Sequence, residues 1–394
     1  MPDPHPLLEL DVDPLPVLRQ RRSAKWRTYP RDVLPLTVAE MDYPLAPVIA
    51  DQLRDAVNRS DTGYAYAAPD LGVALAGFSA RRWSWQIDPA QVTAVTDVGV
   101  GVSELLRVVT AGGGSVVISP PVYPPFFDWI AESGARLIEA PLRRGEHGWA
   151  LDLDLIEREF TAGAVAYVLC NPHNPVGRVH TPQELAGLVE LAHRYGVVVI
   201  SDEIHAPLAL PGATFTPLLT VPGAAEVAIS VLSASKAWNL AALKCACIVT
   251  ADPAMASIVA ELPPDTRWRV GHFGVIAAVA AWTDGEPWLD LLLRTLDARR
   301  TQLGMLLHTA LPEITWSPPQ ATYLAWLDCT ALGEADVTRD VFLDEGRVAL
   351  EPGLRFGKSG GGFVRLNFAT SGTILAAAVD AMANAAAEQR RARP

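Results

Sequence analysis

Ser233-Ala234-Ser235-Lys236-Ala237-Trp238-Asn239-Leu240-Ala241-Ala242-Leu243-Lys244 follows directly on an apolar, strand-like run at 227–232. The chain has only four lysines, Lys25, Lys236, Lys244 and Lys358, and leaves most of its positive charge to arginine. A lysine set between small residues at the end of an apolar strand therefore asks for a reason. In an apolar pocket an amine has a lowered pKa and becomes a nucleophile able to form a Schiff base. The plainer reading is an exposed lysine at a strand end.

Working outward, 394 residues suggest two domains, and 50% hydrophobic against 19% charged residues supplies a large core. A net charge of −12 argues against nucleic acid or an anionic membrane as main partner. Cys170, Cys245, Cys247 and Cys329 lack zinc-type spacing and sit in or beside apolar runs, so they read as buried free thiols. The Pro-rich, acidic beginning is no signal peptide, and the most apolar run, 273–282, is about half a membrane span. The expectation is a soluble cytoplasmic protein.

Residues 1 to about 30 read as an extended arm, 33–38 as a strand, and 46–57 as a helix. The loop Asp61-Thr62-Gly63-Tyr64-Ala65-Tyr66 offers two tyrosines, either packed on a surface or reaching an anion. From 92 onward, strand and helix alternate. Asp97-Val98-Gly99-Val100-Gly101 reads as a glycine turn before a helix at 105–110, a place where free N–H groups suit a phosphate. It is half of a dinucleotide fingerprint with no ribose-binding acid after it, which argues against a nicotinamide site. The strand at 115–119 ends in Pro120-Pro121-Val122-Tyr123-Pro124-Pro125-Phe126-Phe127, a stiff aromatic loop. The strand at 164–169 ends in Cys170-Asn171-Pro172-His173-Asn174-Pro175-Val176-Gly177. Thr181-Pro182-Gln183-Glu184 then starts a helix with a capping box. The strand at 196–201 ends in Asp202-Glu203-Ile204-His205, and a buried acid there needs a partner, which a protonated ring nitrogen would satisfy. Strand ends in a doubly wound sheet gather on one side, so these groups are expected to share one site. Beyond a long helix at 286–309, Arg365 stands inside the apolar strand 363–368, either in a structural ion pair or as a carboxylate clamp.

These motifs together resemble the pyridoxal-phosphate enzymes of the aspartate-aminotransferase fold, and more narrowly the cystathionine β-lyase and cystalysin branch of C–S lyases. The resemblance runs from Val38-Ala39-Glu40-Met41-Asp42-Tyr43-Pro44 to Arg365-Leu366-Asn367-Phe368. It implies an α/β fold: a large domain (46–285) with a mostly parallel seven-stranded sheet flanked by helices, a smaller α+β domain (286–394), and an N-terminal arm that also forms part of the small domain (1–45). It implies pyridoxal 5'-phosphate as cofactor. Lys236 would hold it covalently and move the substrate's α-proton, Asp202 would pair with the ring nitrogen, and Tyr123 would stack on the ring. Asn174 would bond its phenolic oxygen, with His205 nearby. Val100 and Gly101 N–H groups, the Ser233 hydroxyl and Lys244 would hold the phosphate. Arg365 would clamp the substrate carboxylate, with Asn174 beside it. Tyr64 would reach the neighbouring subunit's phosphate and substrate, which implies a homodimer with shared sites. Pro124 stands where cystalysin-like enzymes have a second tyrosine, and the tip of the glycine turn has no hydroxyl residue.

The activity this implies is β-elimination from cystathionine or another S-substituted cysteine, giving thiol, pyruvate and ammonia. Amino transfer uses the same residues, and a decarboxylating biosynthetic reaction is a further alternative, because the motifs do not fix which bond breaks. A regulatory or binding protein on this fold is a further reading, disfavoured by an intact Lys236 and Asp202. Tyr43, Trp238 and Tyr323 are candidates for shaping the side-chain pocket, and equally for core.

Overall fold

The computed structural model describes residues 9–65, 69–111, 113–145, 148–333 and 335–392. Seven strands form the central sheet: β1 Val92–Val95, β2 Ser115–Ile118, β3 Arg136–Glu139, β4 Ala164–Cys170, β5 Val198–Asp202, β6 Ala228–Leu232 and β7 Ala246–Val249. Their order is β1-β7-β6-β5-β4-β2-β3. The strands from β3 to β6 run parallel to their neighbours, and β7 is antiparallel to both β6 and β1. Two reversals restore direction, so β1 points the same way as β6. The C-terminal ends of β1, β2, β4, β5 and β6 therefore lie along one edge. The middle strands are apolar and buried on both faces, as a helix-covered parallel sheet requires.

Local chemistry sets the flanking elements. Helix α1 is Pro47–Asn58 and α2 is Pro69–Trp83. Helix α3, Val98–Thr110, is capped by Asp97, whose side chain accepts from the Val100 N–H. Helix α4 is Pro125–Glu132. Helix α5, Pro182–Tyr195, begins with the expected capping box: Thr181 and Glu184 each bond the other's backbone N–H. A second sheet is built from β8 Thr315–Trp316, β9 Leu324–Asp328, β10 Glu351–Pro352 and β11 Phe363–Asn367, in the order β8-β9-β11-β10, all antiparallel. Helices α6, Glu286–Ala310, and α7, Gly372–Ala392, pack on each other beside it.

Several local expectations change. The arm is not wholly extended: short helices occupy Leu15–Leu18 and Ala24–Arg27. The strand at 33–38 shrinks to Leu34–Pro35, paired with Val348–Ala349. The glycine turn is already helical, because capping by Asp97 starts α3 at Val98 rather than 105. Phe126 and Phe127 belong to α4, not to a loop. Tyr66 lies outside the described residues. Among the described residues no helix is long and apolar enough to cross a membrane.

Candidate active site

Along the edge where the strand ends meet lies a cavity of about 270 Å³. β1 delivers Asp97 and, through the first turn of α3, Val98 and Gly99. β2 delivers Tyr123, β4 delivers Cys170 and Asn174, and β5 delivers Asp202, Ile204 and His205. The segment after β6 delivers Ser235 and Lys236, and Lys244 and Cys245 close the wall before β7. Ala39 comes from the N-terminal part of the chain, and Trp129 from α4.

Lys236 keeps part of its surface open to the cavity while protein surrounds the rest. Its Nζ donates to the Ala39 carbonyl at 3.0 Å, and the Tyr323 hydroxyl donates to the same oxygen at 2.9 Å. Burial, reinforced by the Arg365 charge, brings the amine down to about 8, against the pull of Glu40 and Asp202. Asp202 is buried and its Oδ1 accepts the Ile204 N–H at 3.0 Å. Burial raises its carboxyl to about 7, although that N–H and Lys236 oppose the rise. His205 is buried, and burial together with the Lys236 and Arg365 charges holds it near 3, so the ring is neutral. Among the described residues its Nδ1 has no partner. Tyr123 packs edge-on against Trp129 with centroids 5.9 Å apart, and burial raises its phenol.

Arg365 sits on β11 with 4% of its surface exposed. Nη1 donates to Asn174 Oδ1 at 3.1 Å and Nη2 to the Thr37 carbonyl at 2.8 Å, while Nε has no partner among the described residues. Its guanidinium lies 5.0 Å from the Phe356 ring centroid. Among the described residues no carboxylate forms an ion pair with it, so a structural salt bridge does not explain its burial.

The structure differs from the anion-binding expectations at the Val100 and Gly101 N–H groups and at the Ser233 hydroxyl. The Val100 N–H donates to Asp97 Oδ1 at 2.8 Å and the Gly101 N–H to the Asp97 carbonyl at 3.0 Å. Neither is free, and Gly101 instead lets α3 approach the sheet: a Cβ there would stand 3.3 Å from Val95. The N–H groups that head the helix without an intrahelical acceptor belong to Val98 and Gly99, which line the cavity. A Cβ on Gly99 would fall 2.9 Å from the Trp129 ring. Ser233 is likewise committed: its hydroxyl donates to the Cys245 carbonyl at 2.7 Å and accepts from the Ser235 N–H, so Ser235 takes its place on the wall. Lys244 reaches the cavity paired with Asp97 at 2.8 Å. Tyr64 is 84% exposed, edge-on to the exposed Trp268 at 6.3 Å, and is not part of this chain's cavity wall. Nor are Tyr43, Trp238 and Tyr323, which are buried core residues with their polar atoms bonded to backbone carbonyls.

Residues 31–381 match the family model described as aminotransferase class I and II. The chain belongs to that family. A Mycobacterium tuberculosis relative named "Putative cystathionine beta-lyase" is 46% identical over 98% of this chain and 100% of its own length. A cystathionine beta-lyase of Corynebacterium glutamicum is 35% identical over 90% of this chain and 94% of its own. A crystal structure from Corynebacterium diphtheriae, described as a "putative plp-dependent beta-cystathionase", superimposes with a TM-score of 0.89 and 36% identity, covering 96% of this chain and 99% of that one. Each covers nine-tenths or more of this chain, so the aminotransferase-type fold is shared as a whole.

Proposed function

We propose that this family member is a pyridoxal-phosphate-dependent C–S β-lyase that converts cystathionine or another S-substituted cysteine to thiol, pyruvate and ammonia. The observation that carries the reading is a single cavity holding an amine lowered to about 8 beside a buried carboxyl, Lys236 and Asp202. The full-length relatives named for the same reaction support it.

The residues fit the cofactor. The Lys236 amine would hold it, and Asp202 would face its ring nitrogen, a cation that would return the raised carboxyl to its ionised form. Tyr123 would stack against the ring, Asn174 would donate to its phenolic oxygen, and His205, neutral and unpartnered at Nδ1, lies on the same wall. The Val98 and Gly99 N–H groups, Ser235 and Lys244 are the donors suited to its phosphate. When bound, the cofactor draws off the electrons left by the substrate's α-proton.

The chain's own work is to place and move protons. Arg365 would bind the α-carboxylate, exchanging neutral acceptors for a charged one. Lys236, close to half neutral near pH 8, takes the α-proton as a base. A thiol of ordinary pKa, about 8.5, leaves as thiolate without a strong acid, so Pro124 in place of the second tyrosine is compatible with C–S cleavage. The same proline would hinder expulsion of a poorer leaving group, and amino transfer, which expels none, is the second reading. The exposed Tyr64–Trp268 pair suits a homodimer in which a second copy covers it and shares the site, in the cytoplasm.

Incubation with cystathionine and a panel of cysteine conjugates should release stoichiometric pyruvate and thiol. Amino transfer to a keto acid without thiol would favour the second reading, and neither product would sink the first. Arg365→Ala should raise KM roughly 10- to 100-fold, the worth of one hydrogen bond to a charged group. The visible absorption of the bound cofactor should be retained in that variant.

A further inference from the structure

Residues 37–42, of which Ala39 lines the cavity, have no strand pairing of their own, yet each carbonyl accepts a side-chain donor. Thr37 receives Arg365, Val38 receives Asn367, and Ala39 receives Lys236 and Tyr323. Glu40 receives Asn367 at 2.7 Å and Lys25 at 3.3 Å. Met41 receives Asn239 at 3.1 Å and Arg21 at 3.4 Å, and Asp42 receives Arg21 at 3.0 Å. Two of these donors, Lys236 and Arg365, have another task. Under the lyase reading each also binds a ligand, so the strap shares two of its donors with the site.

The other end of the strap is tied to the N-terminal arm. Lys25, on the short helix Ala24–Arg27, and Asp42 form an ion pair at 2.8 Å with each side chain 1% exposed. The Trp26 indole N–H donates to the same Asp42 oxygen at 3.2 Å. Neither charged residue lines the cavity. A buried pair is a poor source of stability, because desolvation offsets most of the attraction and apolar replacements are often as stable. What it does supply is geometry. With the Glu40 carbonyl and the Asp42 carboxylate both held by one ammonium, the strap has an anchor separate from Lys236 and Arg365.

We propose that Lys25 and Asp42 are positioning residues: their buried pair anchors the 37–42 strap, so that the Ala39 carbonyl and the Arg365 cradle keep their places while the site exchanges partners. The kinetic part rests on the lyase reading; the structural part does not.

The test uses the full-length chain as purified, with Lys25→Met, Asp42→Asn and the double variant. Each single variant leaves a buried charge alone and should melt lower; the double should recover most of that loss. Amide exchange at Met41 and Asp42 should nonetheless stay about tenfold or more faster than wild type in the double variant, the loss of roughly one charged hydrogen bond. Amides of β5 should be unchanged there. KM for the cysteine conjugate should remain raised by about the same factor, with kcat nearly constant. Recovery of strap protection and KM together with melting temperature would reduce the pair to a structural role and overturn the proposal. A wild type that cleaves no cysteine conjugate would sink the lyase reading instead, and the exchange result would still decide the strap.

Discussion

Lys236→Ala is expected to lower turnover by at least about 10⁴-fold, beyond the 10² to 10⁴ ordinarily contributed by one general base, because the same amine also tethers the cofactor. The fold should survive. The wild-type side chain gives the protein one hydrogen bond, to Ala39, and its depressed pKa means that burial works against its charge. Borohydride treatment of the cofactor-loaded wild type should leave a reduced adduct on the peptide carrying Lys236, and none in the variant. Lys244 is the built-in control: it is also an amine on the cavity wall, but paired with Asp97 and more than half exposed. An adduct on Lys244 in wild type would show that the wrong lysine carries the chemistry.

Asp202→Asn is expected to reduce kcat by about 10² to 10⁴-fold, the range for removing a group that acts on the reacting electrons, while leaving the cofactor bound through Lys236. It should also change how the cofactor-free chain responds to pH. The folded carboxyl titrates at about 7, above its ordinary value of 3.8. The native state therefore binds the proton more tightly than the unfolded chain. This group's contribution to stability is complete below pH 4 and is lost as pH rises through 7, a change of a few kcal/mol at most. Thermal melts of the cofactor-free chain should show that decline in wild type and a flatter profile in the variant. Equal slopes between pH 4 and 7 would mean that the carboxyl is not held protonated by its surroundings.

Much of the fold was legible because a parallel sheet buried on both faces writes its strands as unbroken apolar runs, and their ends are marked by polar, Pro- and Gly-bearing turns. The runs before Asp97, Pro120, Cys170, Asp202 and Ser233 carried that signal, and their arrival at one cavity follows from strand direction. Helix α2 was not legible. Gly72 and Gly77 interrupt its pattern, and Gly72 is there because a Cβ would meet the Pro89 carbonyl at 2.6 Å, a contact 17 residues away that local sequence does not announce. The free N–H groups at the head of α3 were misplaced for a smaller reason. Asp97 three residues before Val100 is itself a cap signal, and taking it as such moves the free N–H groups back to Val98 and Gly99. The choice between Ser233 and Ser235 depends on the Cys245 carbonyl, which only the folded chain brings to Ser233.

An enzyme that liberates thiols must live with them. All four cysteines are free and buried. Two of them, Cys170 and Cys245, face the cavity in which a product thiol would be set loose. Mixed-disulfide exchange starts from a thiolate, and burial keeps Cys245 protonated up to about 12 and pushes Cys170 well above the ordinary thiol range. Oxidised forms of the product, or a disulfide-bearing substrate, would thus find no ready thiolate at Cys170 or Cys245, and the catalyst would be spared capture by the compounds it makes.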